Sequence, residues 1–354
     1  MRRLTILSVA YSLAPVGPDA VGGSEQVLCA LDHALVAAGH RSIVIACEGS
    51  QVAGELASFP APPTDRHIDD ECGAVRRAAI RRAMAGVLQS TDVDLVHMHG
   101  LDWHHNLPPP GVPVLATLHL PPDWYPPEAL TPERPDTWVH CVSASQERRA
   151  PPTPFMLPPI PNGVPVAKLG GLHPRKCRYA LMLARVCPEK GLHLALDAAH
   201  AAQSSLLIGG EVFPYAAHQD YFRHEVAPRL DRSRRYLGPV GFAQKRRLLA
   251  AARCLLVPSL VAETSSLVAM EAASCGTPVI AFRNGALPEV VEDGHTGFLV
   301  DDAAGMADAI ARADTIDPEA CRAAARRRFS VEHMAAAYID RYHGLVRGRV
   351  PAMA

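Results

Sequence analysis

LTILSV (4–9), GGSEQVLCALDHALVAAGH (22–40) and RSIVIAC (41–47) follow one another near the start of the chain. The first and third are short apolar runs of strand length. The second opens on two glycines and continues as an amphipathic helix, with Ser24 as the expected N-cap and Gly39 suited to its C-terminus. Two arginines and an apolar stretch in MRRLTILSVAYSLAPVG (1–17) look superficially like a signal peptide. No small-x-small cleavage site follows, and the run continues into the glycine turn and helix. It reads instead as a first buried strand.

The same alternation extends outward. The stretch from Cys72 to Gln89, with its paired arginines, reads as an exposed amphipathic helix; DLVHMH (94–99), PVLATLH (113–119) and TWVHCVSAS (137–145) read as strands. Strands alternating with helices imply a parallel, doubly wound sheet. PPTPFMLPPIPNGVP (151–165) interrupts the pattern and cannot be helical, because proline removes donors and restricts its predecessor. Alternation restarts at RYALMLAR (178–185). It runs through GLHLALDAAHAA (191–202), SSLLIGG (204–210), a helix near 218–230, RRYLGPV (234–240), KRRLLAAA (245–252), CLLVPS (254–259), a helix through Glu271, and PVIAF (278–282). Val331 to Gly348 reads as a terminal helix. Two α/β units without a short repeat argue against a solenoid. Their ligand sites are expected at the carboxyl ends of strands and between domains.

Composition bounds the class. The 354 residues correspond to about two domains. Apolar residues make up 48% and charged residues 20%, which excludes disorder. Lys and Arg number 35 against 36 Asp and Glu, so the basic excess of a general nucleic-acid binder is missing. No apolar run reaches the ~20 residues that span a bilayer. The 32 prolines cluster in loops and boundaries. Nine scattered cysteines, an odd number without a CxxC pair, imply a reducing cytoplasm, no disulfide framework and no zinc site.

ETSSLVAME (263–271) carries the most informative pair of side chains. Glu263 falls after the strand CLLVPS, and Thr264, Ser265 and Ser266 open a helix whose unpaired N–H groups suit a phosphate. Glu271 lies within that helix, where a carboxylate can accept two bonds from a ribose diol. On spacing alone, a helix-start acid and a solvated side chain are the better explanation of the pair. His97 and His99 alternate on one face of DLVHMH, with His104 and His105 nearby, but no carboxylate or cysteine is spaced to complete a metal site. They read as lining for an acceptor or as a packed strand. Asp92-Val93-Asp94 is a formal DxD, yet it precedes its strand, at the wrong end for a site. There is no GxGxxG.

The run LLVPSLVAETSSLVAMEAASCGTPVIAFRNGALPEVVEDGHTGFLV (255–300) resembles the retaining glycosyltransferases of family 4. The resemblance covers nearly the whole chain in order. GGSEQV (22–27) is similar to the family's glycine loop, and TLH (117–119) to the segment with its active-site histidine. IPNGVP (160–165) is similar to the passage between domains, and LARVCPEKG (183–191) to the segment that sets an arginine and a lysine against the donor diphosphate. It implies a GT-B α/β fold: two Rossmann-like, doubly wound parallel-sheet domains facing a central cleft. The domains would be an acceptor-binding one over 1–168 and a donor-binding one over 169–330, with a C-terminal helix over 331–354 that can pack back on the first.

The implied activity is transfer of a sugar from a nucleotide-diphosphate sugar to an acceptor hydroxyl with retained configuration. Glu263 would touch the sugar hydroxyls and Glu271 the ribose, while Arg185 and Lys190 neutralise the leaving diphosphate. Gly22 and Gly23 would let backbone approach the ligand, and Ser265, Ser266 and Leu267 would receive phosphate. His119 would lie near the reacting carbon without acting as general base, since the leaving phosphate takes the acceptor's proton in the usual account of this family. No metal or other cofactor is expected, nor a nucleic-acid partner. The acceptor would be a small molecule, a glycan or a lipid-linked molecule. The arginines of RRAAIRRAMAG (76–86) and RRRF (326–329) read as solvated faces, with attraction to anionic lipids as the alternative.

Two positions depart from the family pattern: Ser265-Ser266 replaces Phe-Gly, and Pro165 replaces Asp. The first bears on donor identity. A nucleotide-sugar epimerase and a non-catalytic sugar-nucleotide sensor are the competing classes. The first would convert donor without acceptor, and the second would bind donor without turnover.

Overall fold

The apolar runs of the first half pair side by side in a computed structural model that describes residues 2–20, 22–61 and 70–348, the side chains of 70–72 excepted. The strands are β1 (Thr5–Val9), β2 (Arg41–Cys47), β3 (Glu55–Phe59), β4 (Leu95–Met98), β5 (Val114–Leu118), β6 (Thr137–Cys141) and β7 (Met156–Leu157). They lie in the order β3-β2-β1-β4-β5-β6-β7 with every pair parallel. Strands β4 and β5 are buried at every position, as expected of a sheet covered on both faces. The order reverses between β1 and β4, the place where the crossovers diverge and a crevice opens at the carboxyl ends.

The second half repeats the design with β8 (Tyr179–Leu183), β9 (Ser205–Gly209), β10 (Arg234–Tyr236), β11 (Cys254–Val257), β12 (Val279–Phe282) and β13 (Gly297–Val300). Their order is β10-β9-β8-β11-β12-β13, again all parallel, reversing between β8 and β11.

The chain divides into two units, one of Met1–Asn162 with Val331–Ala354 and one of Gly163–Ser330. The first division lies ahead of the 168/169 boundary inferred from sequence. The short helix Val166–Leu169 packs against the helix Leu267–Ser274 of the second unit, where the Cys275 thiol contacts the Leu169 carbonyl at 3.7 Å. The helix Val331–Val346 packs on the helix Gly23–Ala37 of the first unit. Arg341 ties it down by donating to the Pro158 carbonyl at 3.0 Å. The expected end of this element, 349–354, lies outside the described residues.

Local details differ from expectation. The N-cap of the first helix is Gly22, in extended backbone, and not Ser24; the Ser24 hydroxyl bonds to the neighbouring Glu25 carboxylate at 3.0 Å instead. Gly39 does close that helix: its φ is +83 and its N–H bonds to the Val36 carbonyl. Strand β3 was invisible in sequence because it is a largely exposed edge. Strand β7 fits within the proline-rich passage because Phe155, Met156 and Leu157 stand between prolines, leaving two residues free to pair with β6. The helix near 218–230 is one α segment, Ala216–Tyr221, followed by a wider turn and a tighter one that ends around Pro228. The eight described cysteines form no disulfide, and all but Cys177 are buried. Among the described residues, no helix is long and apolar enough to cross a membrane.

Candidate active site

In the second unit the chemistry gathers where the strand order reverses. Strand β8 runs into the loop carrying Arg185 and Lys190, and its neighbour β11 runs into the loop carrying Glu263. Lys190 Nζ donates to Glu263 Oε1 at 2.6 Å, joining side chains 73 residues apart. The Ser259 hydroxyl donates to the same oxygen. The pair is largely shielded, with Lys190 27% and Glu263 11% exposed by side chain. The Leu260 N–H bonds the Glu189 carbonyl at 2.8 Å, fastening the two loops together through the backbone.

A third loop completes the frame. Gly285 has φ +59, and a β-carbon there would lie 2.4 Å from both the Glu263 nitrogen and oxygen. Ala286 N–H then donates to the Glu263 carbonyl at 2.7 Å. Only glycine combines this backbone with so close an approach.

Glu271 does not join the Lys190–Glu263 pair. It is buried on the helix Leu267–Ser274, where Lys245 of the helix Phe242–Ala251 donates to its Oε1 at 2.5 Å. Ser266 caps the helix Leu267–Ser274 in left-handed backbone at φ 61, and the buried Ser265 hydroxyl has no hydrogen-bond partner in the protein. Arg185 lies over the Phe213 ring, 5.6 Å from its centroid. Cys187, Glu189 and His218 place one potential metal-ligand atom each within 4.8 Å of one another, a cluster that the sequence reading did not assemble.

The first unit carries the remaining candidates. Gly22 and Gly23 follow β1, and a β-carbon on Gly22 would lie 1.9 Å from the buried Glu25 carboxylate. His119 follows β5. Its backbone N–H donates to the Tyr125 hydroxyl at 3.0 Å, while the Gln146 amide donates to the carbonyls of Leu118 and Leu120. Tyr125 and Gln146 thus brace the histidine's backbone from both sides. His119 is partly open to solvent at its edge but packed closely enough that burial lowers its pKa to about 4. His97 and His99 share a face, as their alternation requires, and bond to each other at 3.1 Å. His104 and His105 stand apart, in the turn Trp103–Asn106, with rings 4.0 Å from each other. Asp94 of the DxD is a structural tie, receiving the Thr5 N–H at 2.8 Å and the Arg2 guanidinium at 2.6 Å.

These units have known counterparts. Residues 21–168 match the model of Glycosyltransferase Family 4, and residues 177–314 match that of Glycosyl transferases group 1. The two-sheet α/β architecture is the GT-B fold, and the chain belongs to the family 4 glycosyltransferases. It is 41% identical over 108 residues to the D-inositol 3-phosphate glycosyltransferase of Corynebacterium efficiens, a match covering 30% of this chain and 25% of that one. The matched part spans 15% to 42% of the length of such curated relatives. Across whole chains it resembles the crystal structure of AviGT4, a glycosyltransferase involved in avilamycin A biosynthesis. That likeness has a TM-score of 0.72 at 24% identity and covers 98% of each chain. It also resembles Anabaena HepE in complex with UDP and glucose, with a TM-score of 0.71 at 18% identity, covering 96% of this chain and all of that one.

Gly285→Ala tests the loop frame. The substitution is expected to cost about 1–3 kcal/mol, read as a lower urea midpoint at unchanged slope. A midpoint equal to wild type would mean that residues 283–286 are not held against Glu263.

Proposed function

We propose that the chain is a retaining glycosyltransferase that moves a sugar from a nucleotide-diphosphate sugar to an acceptor hydroxyl without a metal ion. The observation that carries this reading is the Lys190–Glu263 pair at the reversal between β8 and β11. An ammonium and a carboxylate held together there offer opposite charges to a ligand that itself has two chemical ends. A diphosphate competes with Glu263 for Lys190 and frees the carboxylate to accept bonds from sugar hydroxyls. As the glycosidic bond breaks, negative charge grows on the diphosphate, and Lys190 and Arg185 stabilise it. The N–H groups at Leu267 and the orphaned Ser265 hydroxyl supply further phosphate contacts, with Ser266 shaping the turn. Glu271 accepts from the ribose diol, with Lys245 as the partner from which it is drawn. Within the first unit, Gly22 and Gly23 let a ligand approach the backbone closely, and His119 offers an imidazole at a strand end to a sugar.

With fixed cations and a helix terminus supplying positive charge, the reaction needs none from a metal. The donor base, the sugar and the acceptor are set by side chains beyond this frame. An inositol phosphate is the first acceptor class to assay, given the naming of the Corynebacterium relative. Cytoplasmic placement fits a nucleotide-sugar donor.

Lys190→Ala is expected to lower kcat about 10²–10³-fold in a radiolabelled-sugar transfer assay, with a far smaller change in thermal midpoint. Activity within a few-fold of wild type would remove Lys190 from the leaving-group role.

Glu271→Ala is expected to weaken nucleoside diphosphate and intact donor alike, because both contain the ribose. Glu263→Ala should weaken the intact donor and spare the diphosphate. Calorimetric titration of both variants reads the difference, and equal loss of diphosphate binding in the two would reverse the assignment.

Transfer is expected to survive excess EDTA. Loss restored by magnesium, manganese or zinc would overturn metal independence and direct attention to Cys187, Glu189 and His218.

A further inference from the structure

Three side chains around the β8 loop are left unused by the sugar-transfer reading. Cys187 and Glu189 stand between Arg185 and Lys190 in sequence, Cys187 capping the short turn Pro188–Lys190 and Glu189 lying inside it. His218 belongs to the helix Ala216–Tyr221, which follows β9. Strands β8 and β9 are parallel neighbours, and the Val186 N–H carries their pairing past the strand ends by donating to the Glu211 carbonyl at 2.9 Å. That bond joins the two loops one residue ahead of Cys187. A thiol sulfur, a carboxylate oxygen and an imidazole nitrogen, one from each residue, all lie within 4.8 Å of one another.

The cluster is short of hydrogen bonds. Among the described residues, Glu189 Oε2 and His218 Nδ1 are buried atoms with no hydrogen-bond partner. The wholly buried Cys187 thiol has the Arg185 carbonyl at 3.7 Å. The Arg185 guanidinium is turned to the Phe213 ring, 5.6 Å from its centroid, and does not complete Glu189 Oε2. The His218 ring is held by aromatic neighbours, stacked with Phe213 at 6.3 Å and edge-on to Tyr215 at 5.1 Å between centroids. Buried polar atoms without partners are costly, and here two of them belong to one cluster that also holds a thiol. Thiolate, imidazole and carboxylate together make a donor set for zinc and related divalent transition metals, whereas magnesium and calcium take oxygen ligands. Bonds of ~2.0–2.3 Å to zinc set ligand atoms roughly 3–4 Å apart, so closure on an ion asks these side chains to move by about an ångström. A thiolate and a carboxylate also balance the two charges of the metal beside Arg185.

We propose that Cys187, Glu189 and His218 form a zinc-binding site that clips the β8 loop to the helix Ala216–Tyr221, with water as the fourth ligand. On binding, the Cys187 sulfur exchanges its hydrogen for the metal and the proton passes to solvent; no electron is transferred. The ion is no step in the sugar transfer proposed above. It engages side chains between Arg185 and Lys190, uses neither cation, and stiffens the segment that carries both. Cysteine spacing could not reveal the site, because one ligand alone is a cysteine and the third lies on another element.

Cobalt titrated into the full chain after treatment with a chelator tests the site, since a cobalt–thiolate bond gives a near-ultraviolet charge-transfer band. Wild type is expected to develop this band with a single equivalent of cobalt and to lose it on adding zinc, but not on adding excess magnesium. Competition for zinc against a chromophoric chelator gives the affinity. Cys187→Ser and His218→Gln are each expected to weaken zinc binding at least ~100-fold, beyond the ~10–100-fold that follows loss of a group supporting a ligand. Glu189→Gln is expected to weaken it by about 10-fold or more. Cys177→Ser, at the exposed cysteine, should change neither measurement. A wild type without the band, unchanged zinc affinity in any of the three ligand variants, or loss of binding in Cys177→Ser would overturn the site. The wild-type cobalt spectrum depends on no variant folding. Neither measurement uses donor or acceptor, so the zinc site and the sugar-transfer reading fail separately.

Discussion

Parallel strand pairing is the constraint on which the other features depend. A parallel strand cannot reach its neighbour through a tight hairpin, so each connection crosses over the sheet and each loop after a strand emerges at the same edge. Both sheets then reverse their order once, β1 against β4 and β8 against β11. Crossovers on opposite faces leave those two places uncovered. The Lys190 and Glu263 loops flank one reversal. The glycines after β1 and the histidines at the end of β4 flank the other. Chemistry collects there because the backbone leaves space there.

Within that space the second unit keeps its charges paired. Lys190 rests on Glu263, and Lys245 on Glu271. Glu271, at 5% exposure of its side chain, would be costly as a lone ion in so sheltered a place. Paired with Lys245, it is held between two neighbouring helices. The first unit buries the carboxylates of Glu25 and Asp32, and across its sheet it also buries imidazoles and hydroxyls that hydrogen-bond to one another.

Strand and helix alternation in the sequence sufficed for the two sheets, because buried parallel strands are continuous apolar runs with distinct boundaries. The edge strand β3, half exposed and weakly apolar, left no such trace, and neither did β7 between prolines. Glu263, Glu271 and Lys190 could be singled out through a family pattern that no local spacing would have supplied. Ser259, Lys245 and Gly285 could not, because what matters about them is a contact made across the fold. The His97–His99 alternation was readable as a shared face. Its true partners, Thr117, His140, Tyr338 and Tyr342, come from two further strands and from a helix more than two hundred residues away. The N-cap of the first helix was misplaced because serine is the commoner cap, whereas the turn here brings Gly22 against Glu25.

The terminal helix also sets the order in which the molecule can be completed during synthesis. Residues Gly163–Ser330 form a contiguous unit and can close as soon as they leave the ribosome. The first 162 residues emerge earlier but lack the segment from Val331 onward, which covers the helix Gly23–Ala37 and brings the Tyr338 and Tyr342 hydroxyls to Thr117 and His97. The nascent chain therefore finishes its second unit while the first still exposes the surface meant for the helix Val331–Val346. Termination after Ser330 would release a protein with a complete second unit and a first unit missing two of its largest buried side chains, Tyr338 and Tyr342.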